Sequence, residues 1–147
     1  MRRFKRIMIA SDLSKVSRAA FSTALSLAKS RESELLILHV VAPISSFVTE
    51  EFVQPGILEK IQIDARAWAE RQLTRLAAAA TKQGVRVKVL LLSGDPAGQV
   101  VRAARAHRAD LVVVGTHGRR GVSRLVLGSV AEHVVAAAPC PVVTVRS

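Results

Sequence analysis

Five short apolar runs alternate with four stretches of helical spacing, and this alternation leaves the chain few folds. The runs are Ile7–Ala10, Leu35–Val41, Val85–Leu92, Leu111–Val114 and Val142–Val145. After Lys15, the residues Val16, Ala19, Ala20, Thr23, Ala24, Leu27 and Ala28 recur at three and four positions, the period of a helix with one buried stripe. Ser14 reads as the N-cap of that helix. A longer stripe follows: Leu58, Ile61, Ala65, Trp68, Ala69, Leu73, Leu76, Ala77 and Ala80, closed by Gly84 at a C-cap position. Gly94-Asp95-Pro96 then starts a helix lined by Val100, Val101 and Ala104, with Asp95 as N-cap and Pro96 in the first turn. Ser129–Ala137 is the fourth helix.

Strict β-α alternation with nearly continuous apolar strands means a doubly wound parallel sheet covered by helices on both faces. Val85-Arg-Val-Lys-Val alternates before turning apolar, which predicts a strand near a sheet edge. No internal repeat or linker divides the chain, so residues 1–147 are expected to form one α/β domain. Residues 43–57, with Pro43, Pro55 and Gly56, read as an irregular connection.

Half of the residues are hydrophobic, enough for a core without disulfides. The one cysteine, Cys140, sits between Pro139 and Pro141 and reads as a packing residue. The apolar stretch after the basic start ends at Asp12, too short for a signal sequence, and no run approaches the length of a bilayer span. A cytoplasmic protein without membrane contact is expected. The net charge of +11 favours acidic partners or phosphorylated ligands. With no Tyr and one Trp the chain is poor in base-stacking side chains, so specific nucleic-acid recognition is not expected. A solvated basic surface and non-specific polyanion binding both remain open.

In doubly wound sheets ligands bind beyond the carboxyl ends of the strands, where the winding reverses. The segment after the fourth strand reads Gly115-Thr-His-Gly118-Arg-Arg-Gly121-Val-Ser-Arg-Leu-Val-Leu-Gly128-Ser129. Its glycines allow close backbone approach and positive φ, the makings of an anion-binding nest. Gly128-Ser129 opens a helix whose free N–H groups favour a phosphate. Arg119 and Arg120 supply charge, and His117 is either a phosphate-side donor or a solvated loop residue. Neither the P-loop nor the dinucleotide fingerprint fits, since no Lys precedes Ser129 and the segment does not follow the first strand.

The spacing Gly115-x2-Gly118-x9-Gly128-Ser129 resembles the nucleotide motif of the ATP-binding universal stress proteins. Ile9-Ala10-Ser11-Asp12, His39-Val40, Gly94-Asp95-Pro96 and Cys140-Pro141-Val142-Val143 extend the resemblance nearly end to end. It implies strand order 3-2-1-4-5 and a homodimer through the last strand, with Val142, Val143 and Val145 at the interface. It further implies that ATP binds, with Asp12 and Val40 at the adenosine end and Gly115 near the ribose, and with Val114 and Val130 also among the nucleotide-binding residues. Gly118, Gly128 and Ser129 are then expected at the phosphates. Mg²⁺ is expected only as a companion of the nucleotide, because the histidines and Cys140 show no ligand spacing.

Each assignment has a plainer rival. Ser129 and Glu132 fit a capping box, and Asp12 an Asx-turn. His39 reads as a packed strand-end residue, His107 as a surface one and His133 as a helix-side one. Three functional classes stay open: a nucleotide-binding stress regulator, a slow ATPase, and an interaction module with a basic surface and a still unidentified protein partner. No general base is evident for phosphoryl transfer, which favours the regulator.

Overall fold

In the computed structural model, residues 3–43, 54–116 and 127–146 are described. The strands are β1 (Arg6–Ala10), β2 (Glu34–Val41), β3 (Val87–Ser93), β4 (Leu111–Gly115) and β5 (Val142–Val145). The helices are α1 (Arg18–Arg31), α2 (Ile57–Lys82), α3 (Pro96–Ala106) and α4 (Ser129–Ala137). All strands are parallel, in the order β3-β2-β1-β4-β5. The winding reverses at β1, which pairs with β2 on one side and β4 on the other.

The period of two in each strand sorts its side chains between two cores. Ile7, Ile9, Leu35, Ile37, Leu111 and Val113 face α1 and α2, packing on Phe21, Ala24 and Leu73. Met8, Leu36, Leu38, Val112 and Val114 face α3 and α4, packing on Val100, Ala104 and Val134. Small alanines at Ala20, Ala24, Ala28, Ala103, Ala104 and Ala131 face the sheet, letting the helices lie close to it.

Helix α2 departs from its sequence pattern. Leu73, Ala69 and Ala80 are buried, but Ile61 is 45% and Trp68 37% exposed. At about 1.5 Å per residue α2 is roughly 39 Å long, whereas β3 rises only about 23 Å, so the helix outruns the sheet. Its apolar stripe therefore finds sheet to cover only in its second half. The predicted stop does hold. Gly84 (φ +81°) follows the last turn, with Gly84 N–H donating to Thr81 O (2.9 Å) and Val85 N–H to Ala80 O (3.1 Å).

Helix α1 starts at Arg18 with Ser17 at the N-cap, not at Ser14. The Ser14 hydroxyl donates to Asp12 Oδ1 at 2.6 Å and also accepts the Ser17 N–H at 3.3 Å, in a turn that precedes the helix. The Asp95-Pro96 signal holds as read, with Asp95 Oδ2 accepting the Gly98 N–H at 2.8 Å. Among the described residues no helix is long and apolar enough to cross a membrane.

Candidate functional site

A cleft of about 320 Å³ opens at the carboxyl ends of β1, β2 and β4, the size of a small-molecule site. Its apolar floor comes from Leu38 and Val40 of β2, Val100 of α3 and Val114 of β4. Asp12 lies on one wall; Gly115, Thr116, Gly128, Ser129 and Val130 form the other. Seven residues singled out in the sequence thus meet at one place, although Val40 and Val130 are ninety positions apart. His117, Gly118, Arg119 and Arg120, also expected there, lie outside the described residues.

The wall after β1 is a compact turn of hydroxyls. Asp12 Oδ1 accepts from Ser14 N–H (2.9 Å) and Ser14 Oγ, so the Asx-turn reading is correct. Both bonds use one carboxylate oxygen, and Asp12 still borders the cleft. Ser11 Oγ accepts the Leu13 N–H (3.0 Å) and lies 3.1 Å from Ser17 Oγ, which donates to Ser14 O at 2.7 Å. Leu13 is forced to φ +62°, a region that a leucine rarely enters. Its half-buried side chain packs on the α1/α2 core, which holds it there. Backbone strain of this kind gathers where a turn is fixed by its neighbours.

The opposite wall depends on one glycine. Gly128 N–H donates to Thr116 O at 2.8 Å, and an added Cβ would sit 3.1 Å from the same oxygen. Its φ of −61° is open to any residue. The expectation that this glycine serves by adopting positive φ is therefore corrected: the tight approach to Thr116 O, which a Cβ would press back by a few tenths of an ångström, is what favours it. Gly115 likewise avoids positive φ and ends β4 opposite Val145. Gly128 is the N-cap of α4 and Ser129 its first residue, so the Ser129–Glu132 capping box does not form in that register. With glycine at the cap, α4 presents its first turn to the cleft without an N-cap side chain across it. An uncapped N-terminus of this kind suits an anion.

Among the described residues four buried ones are polar, and three of them, Ser11, Ser17 and Thr116, line the cleft. None of the three was given a site role from the sequence, although Ser11 and Thr116 stand within its motifs, and His39 was read as a packed strand-end residue. His39 is half-buried and borders the cleft, with Nδ1 2.8 Å from Ser11 O. A carbonyl only accepts, so Nδ1 carries a hydrogen. The β2 end beside β1 was the available signal: once β2 neighbours β1, residues 38–40 must flank Asp12.

At the far edge of the sheet, Val142, Val143 and Val145 are half-buried in β5, which pairs with β4 along one side. Cys140 packs with Val142 against the α3/α4 core. His107, expected at the surface, is half-buried at the end of α3, where its carbonyl accepts from Arg6.

Residues 3–146 match the model of the universal stress protein family. The chain belongs to that family. It is 36% identical over 143 residues to a universal stress protein of Methanocaldococcus jannaschii, covering 97% of this chain and 82% of that one. A crystal structure of a universal stress protein family member from Burkholderia pseudomallei is 30% identical, with TM-score 0.78 over 100% of this chain and 99% of that one. A family structure from Arabidopsis thaliana with AMP bound is 22% identical and has TM-score 0.69, covering 97% and 92%. That last likeness carries the universal stress protein fold, and its ligand is a property of the plant protein.

Proposed function

We propose that the cleft binds an adenine nucleotide, with ATP the first candidate, and that the protein is a nucleotide-responsive regulator of stress responses in the cytoplasm. One observation supports this most: an apolar slot beside Asp12 and Val40 leads to the uncapped start of α4 at Gly128–Ser129. An apolar slot suits a flat base, and helix N–H groups suit a phosphate. The AMP-bound Arabidopsis relative is in keeping with a ligand of this class. Mg²⁺ would accompany the phosphates, screening their charge; Asp12 is the cleft carboxylate within this reading. Ser129 then serves as a phosphate donor and Val130 as an amide beside it.

The protein acts, in the same proposal, as a homodimer through β5. Of the two sheet edges, β3 carries Lys88 and follows Arg86, whereas Val142–Val145 carries no charge. Charge blunts an edge against pairing, and a two-fold β5–β5 contact closes the other. Sedimentation at micromolar concentration should give a dimer; a clean monomer refutes this part.

Thermal unfolding with and without millimolar ATP-Mg²⁺ tests the nucleotide site. At a ligand concentration 100 times Kd the gain is about 2.7 kcal/mol. For a domain of this size that raises Tm by about 5–10 °C. No shift with ATP, ADP or AMP, together with no adenine nucleotide released from gently purified protein, rejects the proposal.

A further inference from the structure

The end of the sheet away from the cleft is strongly basic. Because every strand is parallel, the N-terminal ends of the strands and the C-terminal ends of α1, α2 and α3 meet there. Lys29, Arg31, Lys82 and Arg105 occupy last helical turns, where the negative end of the helix dipole accounts for them. Lys5, Arg86 and Lys88 lie in turns and strand starts, where the dipole gives no such reason, and Arg108 directly follows the C-cap of α3.

The acids of this end do little to offset them. Glu34 is held by Arg6 Nε at 3.4 Å. Asp110 Oδ2 accepts the N–H groups of Lys5 (2.8 Å) and Arg6 (3.0 Å). Glu32 is left as the third acid, at the end of α1 beside Lys29 and Arg31. Arg86, Lys88, Arg105 and Arg108 are exposed and form no ion pair with a described residue. Arg6, Lys88 and His107 rim a polar hollow of about 140 Å³ between the start of β3 and the end of α3.

We propose that this end of the molecule docks on the phosphate backbone of double-stranded nucleic acid, separately from the cleft. A duplex offers about one negative charge per 1.7 Å of axis, which attracts a cluster of unpaired cations. Guanidinium groups dominate the unpaired set, and their fork fits phosphate oxygens two at a time. The hollow is too small to seat a peptide. The turns of this end carry none of the exposed large apolar residues, which lie on α2, β3 and α4, so a bilayer gains no wedge there. The chain's single Trp is on α2, away from these turns, leaving no platform for unpaired bases. What remains is contact with a charged backbone, without sequence preference.

Fluorescence anisotropy with a mixed-sequence 20-base-pair duplex, at a series of salt concentrations, tests this. The parent chain should bind at low salt, with log K falling by about 0.9 per phosphate contact for each unit of log salt. The quadruple variant R86Q/K88Q/R105Q/R108Q should bind about tenfold or more weakly and lose about 3 units of salt slope. A charge-matched control, K15Q/K60Q/R71Q/R75Q, should retain most of the affinity, and Gly128→Val all of it. If the quadruple variant unfolds, R86Q/K88Q serves instead, with about half the loss of slope expected. Equal losses in the basic-end variant and the control assign binding to bulk charge and overturn the proposal. So does an absence of duplex binding at low salt, or tighter binding to phosphatidylserine vesicles than to the duplex. The cleft's failure to bind nucleotide would leave these outcomes untouched.

Discussion

The two ends of the sheet share the same strands and are finished in opposite ways. At the N-terminal end, α1, α2 and α3 each stop on a left-handed residue: Glu32, Gly84 and Arg108. The next amide then folds back, Ser33 to Ala28 O (2.9 Å), Val85 to Ala80 O (3.1 Å) and Ala109 to Ala104 O (2.9 Å). Asp110 ties down the start of β1, and the Ser33 hydroxyl donates to Phe4 O. Backbone groups there are consumed by the chain itself. At the C-terminal end, α1 and α4 start without a side-chain cap, and hydroxyls line a cleft. The first end supplies stability and presents only charge; the second leaves directional donors and acceptors facing an open space. A ligand that needs shape and hydrogen bonds belongs to the second.

Substitutions can break this contrast, and the largest effect should come from Gly128→Val. A branched side chain 3.1 Å from Thr116 O forces the wall apart, so nucleotide titration calorimetry should show loss of binding, about 100-fold or more, with the far-ultraviolet spectrum unchanged. Next is Asp110→Ala, which strips an ionised acceptor from two N–H groups. Urea unfolding should report about 1–3 kcal/mol lost, while nucleotide affinity stays at the parent value. Asp12→Ala belongs to the cleft and removes the Asx-turn; a loss of about 1 kcal/mol in stability should come with weaker nucleotide binding. Asp12→Asn keeps an Oδ1 acceptor and should restore the stability. Gly84→Ala is the mildest, costing about 1 kcal/mol through its positive φ and leaving the cleft alone. If Asp110→Ala or Gly84→Ala altered nucleotide affinity as much as Asp12→Ala, the two ends would not be separate.

The fold was legible because its signals were local and redundant. Residues Ser129–Ala137 and Val142–Val145 match the expected bounds because Gly128, Pro139 and Pro141 leave no alternative ends. The start of α1 was placed too early because Ser14 Oγ does accept a backbone N–H three residues on, that of Ser17, but in a turn that precedes the helix. The exposed half of α2 could not be foreseen, since periodicity reveals a stripe but not the length of sheet available to cover it. In the site, spacing located Asp12, Gly115, Gly128 and Ser129, yet the reason for Gly128 lay in a contact with Thr116, twelve residues away. The places of Ser11, Ser17 and His39 at the cleft were not read because the direction of a hydroxyl or ring depends on the strand order. The reading of His117, Gly118, Arg119 and Arg120 falls outside the described residues and rests on the motif alone.

Backbone amide NMR during titration with ATP-Mg²⁺ distinguishes the two ends, because ATP is itself an anion and both are candidates for it. A nucleotide site in the cleft gives saturable shifts at Asp12, Val40, Gly115, Gly128, Ser129 and Val130, with Lys5, Arg86, Lys88 and Asp110 unmoved in the same concentration range. Saturable shifts at the basic end with a silent cleft would contradict it.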